Sequence, residues 1–175
     1  MKKIVLAFAV IFSLTTTVQA QNGAFANGDK LLNIGVGVNS AYDRGIPLGA
    51  SFELGITDDI SVGANVDYLS SNYKFGSTKV NFTTLYFAAR ASYHFNNLLK
   101  IENEKIDLYA GPSLGYRVFS WNDNAYNGLG DSYGSGVYIG VHVGAKYYFT
   151  QKIGAFAEGG DVGSTNGRVG VAFRF

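Results

Sequence analysis

Along most of this chain apolar and polar residues alternate with period two, in stretches broken by turn residues at regular intervals. Successive side chains of a strand point to opposite faces, so the pattern predicts strands with one apolar and one polar face. Its repetition predicts an all-β barrel or sandwich. The first stretch, residues 30–40, sets Leu32, Ile34, Val36 and Val38 against Asn33, Gly35, Gly37 and Asn39. The second, 48–56, sets Leu48, Ala50, Phe52, Leu54 and Ile56 against Gly49, Ser51, Glu53 and Gly55. A third, starting at Ile60, places Val62, Ala64, Val66 and Tyr68 opposite Ser61, Gly63, Asn65 and Asp67. Stretches over 81–95, 106–119, 136–149 and 153–160 repeat the scheme. The sixth is the cleanest, with Val137, Ile139, Val141, Val143, Ala145, Tyr147 and Phe149 all on one face. An eighth ends the sequence, where Val169, Val171, Phe173 and Phe175 alternate with Arg168, Gly170, Ala172 and Arg174.

Short connections follow the second and sixth stretches (57–59 and 150–152), and longer ones follow the first, third, fifth and seventh (41–47, 69–79, 120–134 and 160–167). One link, 96–105, is long and charged where a short turn is expected. An even strand number with short turns at one end and long loops at the other is the pattern of a transmembrane barrel. A soluble barrel would alternate in the same way with its apolar face inward. The polar face distinguishes the two. It is built of Gly, Ser, Ala, Asn and Tyr rather than Lys, Glu, Thr and Gln, and small residues are what a narrow eight-stranded interior can hold.

Charges on that face come in both signs: Glu53, Asp67, Asp107 and Glu158 against Arg90, Arg117, Lys146, Arg168 and Arg174. Isolated buried charges are costly, so enclosed acids and bases must pair. They are expected to form a structural charge network in the lumen, with some of Glu53, Glu158, Arg117 and Lys146 pairing across the interior. The apolar face then meets lipid. Tyr68, Tyr93, Phe95, Tyr116, Tyr147, Phe149, Phe173 and Phe175, all near strand ends, read as interfacial girdles. Lipid offers no partner to a backbone N–H or C=O, so such a sheet has to close.

The first 20 residues stand outside the pattern. Lys2 and Lys3 precede an apolar run from Ile4 to Leu14, interrupted by Ser13, and Val18-Gln19-Ala20 is the small-residue pattern of a cleavage site. This reads as a secretory signal peptide over 1–20 followed by one barrel domain over 21–175. The apolar run, roughly 11 residues, is shorter than the ~20 a spanning helix needs. The formal charge of +1 counts Lys2 and Lys3, so the mature chain carries 1 − 2 = −1, which gives no basic field for nucleic acid. Cysteine is absent, excluding disulfides, thiolate metal sites and Cys nucleophiles. The 23 Gly are unusual for a globular domain and suit a crowded interior.

With its signal segment, its alternating stretches and a strand ending on Phe175, the chain resembles the small eight-stranded outer-membrane β-barrel proteins. This is the OmpX/Ail-like and OmpA transmembrane-domain-like group, and the resemblance covers nearly all of 30–175. It implies an eight-stranded antiparallel up-and-down transmembrane barrel in the cell outer membrane, exported through the Sec pathway. Periplasmic chaperones and the barrel-insertion machinery would be its assembly partners, with Phe173 and Phe175 in the assembly signal. It also implies a monomer without cofactors, acting in membrane integrity or surface contact and meeting any surface ligand through its long loops. A cell-wall tethering role like that of OmpA's peptidoglycan-binding domain is not expected, since the resemblance covers the barrel alone.

Two other functions compete, a small passive porin and a lipid-modifying barrel enzyme. Barrel deacylases use a lipid-facing His and Ser two residues apart. Here His94 precedes Phe95 and Asn96, and His142 precedes Val143 and Gly144. Acyltransferases use His, Asp and Ser, but the loop pair Asp131-Ser132 has no loop His beside it. No enzyme is therefore expected, and both histidines are expected to be hydrogen-bonded lumen residues. The loop from Trp121 to Asp131 alternates Asn and Asp but lacks the terminal bidentate Glu of a calcium loop, so it reads as a surface loop without metal. Trp121 is expected at the lipid interface.

Overall fold

The computed structural model describes residues 24–42, 44–75, 78–121 and 134–175. The expected signal segment and the Asn-rich stretch after Trp121 lie outside the described residues. Among those described, eight strands follow one another: β1 (Lys30–Ser40), β2 (Leu48–Gly55), β3 (Ile60–Phe75), β4 (Thr78–His94), β5 (Ile106–Trp121), β6 (Gly136–Tyr148), β7 (Ile153–Gly160) and β8 (Thr165–Arg174). Each pairs antiparallel with its successor, and β8 returns to β1 to close the barrel. The closing seam runs in register from Leu31↔Arg174 to Gly37↔Arg168, then shifts at Asn39 near the loop end.

Alternation decides which face turns inward. In β6, Val137, Ile139, Val141 and Val143 are 61–74% exposed, whereas Tyr138, His142, Lys146 and Tyr148 are buried. The other strands repeat this polarity, and Glu53, Asp67, Arg90, Asp107, Lys146, Glu158 and Arg168 are each at most 4% exposed. A water-facing protein does the reverse, and its surface does not carry a continuous apolar belt. This polarity is that of a barrel in lipid. Aromatic rings flank the belt: Tyr93 touches Phe95 and Tyr147 touches Phe149 at the short-turn end, and Phe87 touches Tyr116 towards the other.

β1 and β7 occupy the residues that the alternation marks. β3 and β4 do not. The connection expected over 69–79 is almost all strand, paired from Leu69↔Thr84 to Phe75↔Thr78. The cause is an inversion of polarity. Up to Tyr68 the apolar side chains of β3 face outward, but Leu69, Val80 and Phe82 face inward and are fully buried, while Ser70 and Asn81 are exposed. A strand leaving lipid for water needs this change, and a reading that follows one polarity stops there.

The same inversion corrects the position of Trp121. It shares the inward parity of Asp107 and Tyr109 on β5, and its ring packs on Phe82 at 6.0 Å and on Phe119 at 5.1 Å between centroids. Buried Tyr42, Leu69, Tyr86 and Tyr138 complete this cluster. Trp121 is thus part of an aromatic cap inside the loop-end mouth, not a lipid-interface anchor.

Inside the barrel, glycines make room for long polar side chains. A Cβ on Gly49 would fall 2.5 Å from the guanidinium carbon of Arg168, and one on Gly144 would fall 2.5–2.6 Å from the phenol end of Tyr109. The two glycines are the hollows in which Arg168 and Tyr109 lie.

Candidate functional site

The lumen holds a chain of charges that starts at the middle of the barrel. Arg90 on β4 reaches Glu53 on β2 through Nε at 3.1 Å and Glu158 on β7 through Nη2 at 2.8 Å. Glu53 also accepts from the hydroxyls of Ser61 at 2.9 Å and Ser92 at 2.6 Å. Glu158 accepts from the Tyr109 hydroxyl at 3.1 Å. One guanidinium thus bridges two carboxylates, and neighbouring hydroxyls fill much of their remaining acceptor capacity. Enclosed ion pairs need this completion to offset desolvation.

Towards the short-turn end, Asp107 on β5 accepts from Lys146 Nζ at 2.9 Å. Its other oxygen lies 2.7 Å from His94 Nδ1. The Lys146 ammonium stands 4.1 Å from the centre of the Tyr109 ring, a cation–π contact in a dry setting. His94 Nε2 is 3.0 Å from Ser61 Oγ, which joins this lower group to Glu53. Towards the loop end, Arg168 on β8 pairs with Asp67 on β3 and donates to the carbonyl of Val162 at 2.8 Å. A second Arg168 nitrogen lies 4.0 Å from Glu158. The charges therefore run in one connected series from Lys146 through Asp107, His94, Ser61, Glu53, Arg90, Glu158 and Arg168 to Asp67.

Asp107, His94 and Ser61 have the contact order of a nucleophilic triad. Their setting differs from a working one: the Ser61 hydroxyl is also held by Glu53, and Ser61 is fully buried. The three residues come from β5, β4 and β3, so only strand pairing could bring them together. His142, the second histidine, has Nε2 2.9 Å from Ser92 Oγ. Both histidines are hydrogen-bonded inside the barrel, where the alternation puts them.

Seven of the nine charged residues expected on the inner face, Glu53, Asp67, Arg90, Asp107, Lys146, Glu158 and Arg168, meet in these pairs. The four residues expected to pair across the interior do not pair with one another: Glu53 and Glu158 both meet Arg90, and Lys146 meets Asp107. Strand tilt explains this. Arg117 is in register with Tyr86 and Gly136, which puts it at the loop-end mouth, where it donates to the Gly134 carbonyl at 2.8 Å. Arg174 lies at the opposite mouth. It donates to the carbonyls of Gln151 at 2.9 Å and Ala24 at 2.6 Å, and its guanidinium lies 4.7 Å from the centre of the Tyr148 ring. Arg168, whose place inside follows from parity alone, is a full member of the series.

At the loop-end mouth a cavity of about 240 Å³ is lined by Tyr86, Arg117, Val137, Tyr138, Asp161 and Asn166, among others. The hydroxyls of Tyr42 and Tyr86 meet at 2.8 Å. Tyr138 donates to the Asp161 carbonyl at 2.5 Å and accepts from Gly163 N–H at 2.7 Å. Burial raises the Asp161 carboxyl above its ordinary pKa, with Tyr138 and Arg117 opposing the shift. The other mouth holds the segment before β1. Phe25 stacks on His94 with centroids 3.5 Å apart and planes 6° from parallel. No alternation marks this segment, so sequence reasoning that starts at Lys30 misses it.

Several solved structures with a similar architecture are outer-membrane proteins. The outer membrane protein OprG of Pseudomonas aeruginosa matches over 88% of this chain and 98% of its own, at 12% identity and a TM-score of 0.60. The N-terminal barrel domain of OprF from the same organism matches over 86% and 98%, at 22% identity and a TM-score of 0.46. Ail of Yersinia pestis matches over 85% and 99%, at 14% identity and a TM-score of 0.47. No family model matches the sequence, and no curated protein matches it either. The likeness is one of fold: this is an eight-stranded barrel of the outer-membrane type.

Proposed function

We propose that this chain is a monomeric structural and surface-contact protein of the outer membrane, with a closed lumen and no catalytic role. The observation that carries the reading is the connected series of buried ion pairs from Lys146 to Asp67. It joins seven of the eight strands, β2 to β8, with Glu53, Arg90 and Glu158 at its centre. Side chains that cross-link the wall and fill the interior suit a rigid platform better than a solute path. Its long loops would then do the work at the surface, and the lipid-facing exterior would be its contact with the membrane.

The export route belongs to this reading: a signal peptide over 1–20, passage with periplasmic chaperones, and recognition of Phe173 and Phe175 by the insertion machinery. A small passive channel is the second reading. It is favoured by inward acceptors without a protein hydrogen-bond partner, Oδ1 of Asn33 and Asn65 and Oδ2 of Asp67, which are places for water. Refolded protein in planar bilayers separates the two. The closed-lumen reading predicts no steady conductance, and a reproducible ohmic unit conductance would put the channel in its place.

A further inference from the structure

Residues Ala24–Asp29 precede the first strand and have no part in the ion-pair series, yet they are tightly held. Gly28 N–H donates to Gly55 C=O at 2.9 Å and Gly55 N–H to Asp29 C=O at 2.8 Å, adding a short ladder to the end of β2. Asp29 N–H closes a turn on Ala26 C=O at 3.2 Å, while Ala26 N–H donates to the Asp29 carboxylate at 3.0 Å. Gly28 has a φ of +89°, a conformation that glycine adopts without a steric penalty. Arg174 of β8 donates to Ala24 C=O. The segment is therefore anchored both to β2 and to β8, the two strands that flank β1 in the closed barrel.

What it holds in place is the Phe25 ring. Phe25 is 7% exposed, Ala24 is fully buried, and the His94 beneath them is 1% exposed. A Cβ on Gly55 would fall 3.1 Å from the edge of the Phe25 ring, so the barrel wall is cut back where the ring enters. We propose that Ala24–Asp29 is a built-in stopper at the short-turn, periplasmic mouth of the barrel. Phe25 is its seal, Arg174 its clamp, and the Asp107–His94–Ser61 group is the polar surface it keeps dry. This goes beyond the closed-lumen reading, because the Arg90 bridges lie deeper and would still close the barrel with the stopper out.

Histidine modification tests it on the folded mature protein in lipid or detergent. Diethylpyrocarbonate reacts with exposed imidazole, and mass spectrometry resolves His94 from His142. Wild-type His94 should be protected relative to the unfolded chain. Phe25→Ala should raise its reactivity about tenfold or more, as expected when a local opening replaces a larger one as the route of access, while His142 stays protected. Folding of each variant is read separately from heat-modifiable gel mobility. Should Phe25→Ala fail to fold, Arg174→Gln, which loosens the clamp but keeps the ring, should raise His94 reactivity less. Wild-type His94 reacting as fast as in the unfolded chain would overturn the proposal. So would a folded Phe25→Ala, or a folded Arg174→Gln if that variant carries the test, with unchanged protection. Bilayer conductance of Phe25→Ala keeps the two readings apart: exposure of His94 without conductance supports both, whereas conductance appearing with exposure retains the stopper and removes the role given to the Arg90 bridges.

Discussion

Val141 and Gly140 are neighbours on β6 whose tolerances differ for different physical reasons. Val141 is 61% exposed on the outer face in the middle of its strand, so a substitution there is judged by lipid. Val141→Arg is expected to cost about 2–4 kcal/mol of stability, the penalty for a guanidinium near the bilayer midplane. Equilibrium unfolding from lipid vesicles measures it, and unchanged stability would mean the outer face has been misassigned. Gly140 faces inward, where any Cβ would collide with the Tyr138 hydroxyl and the Asp161 carbonyl. Gly140→Val is therefore expected to destabilise through sterics, in detergent as much as in lipid. A loss that appears only in lipid would contradict this.

At the scale of the strand, legibility follows the solvent. β1 and β7 run where the alternation places them because turn residues bound them and one polarity lasts their full length. β3 and β4 were misjudged at the loop end, where Leu69 and Phe82 turn inward and Ser70 turns out. The pattern there is still alternating, but its sign has changed with the medium outside. The acids and bases of the lumen were legible as a class, since parity alone puts Glu53, Arg90 and Asp107 on the inner face. Their partners were not, because pairing depends on how far each tilted strand is staggered against the next. The Phe25 segment gave no signal, being neither alternating nor helical. One strand-scale prediction rests on the resemblance rather than on geometry. Removing Phe175 from β8 should leave a chain that refolds in vitro yet reaches the outer membrane of cells at reduced levels. Normal levels, measured by fractionation, would remove Phe175 from the assembly signal.

For the whole molecule, the closed lumen depends on buried ion pairs that cross the interior from wall to wall. The hydrophobic contribution that holds a soluble domain together acts differently here, because the apolar belt faces lipid. The specificity of the barrel then rests on backbone closure and on what crosses the lumen. The Asp107–Lys146 pair is the sharpest place to test this, since neither side chain has measurable exposure and the two meet at 2.9 Å. Breaking it from either side should cost about 3–5 kcal/mol, because the remaining charge stays buried and unpaired, whereas replacing both residues should recover much of that loss. The direct measurement is a double-mutant cycle with Asp107→Asn and Lys146→Met, read by equilibrium unfolding in lipid vesicles. A dry, closed lumen should give a coupling on the order of 2–3 kcal/mol. Coupling near zero would mean that water already solvates both charges, and an open, hydrated pore would replace the closed lumen.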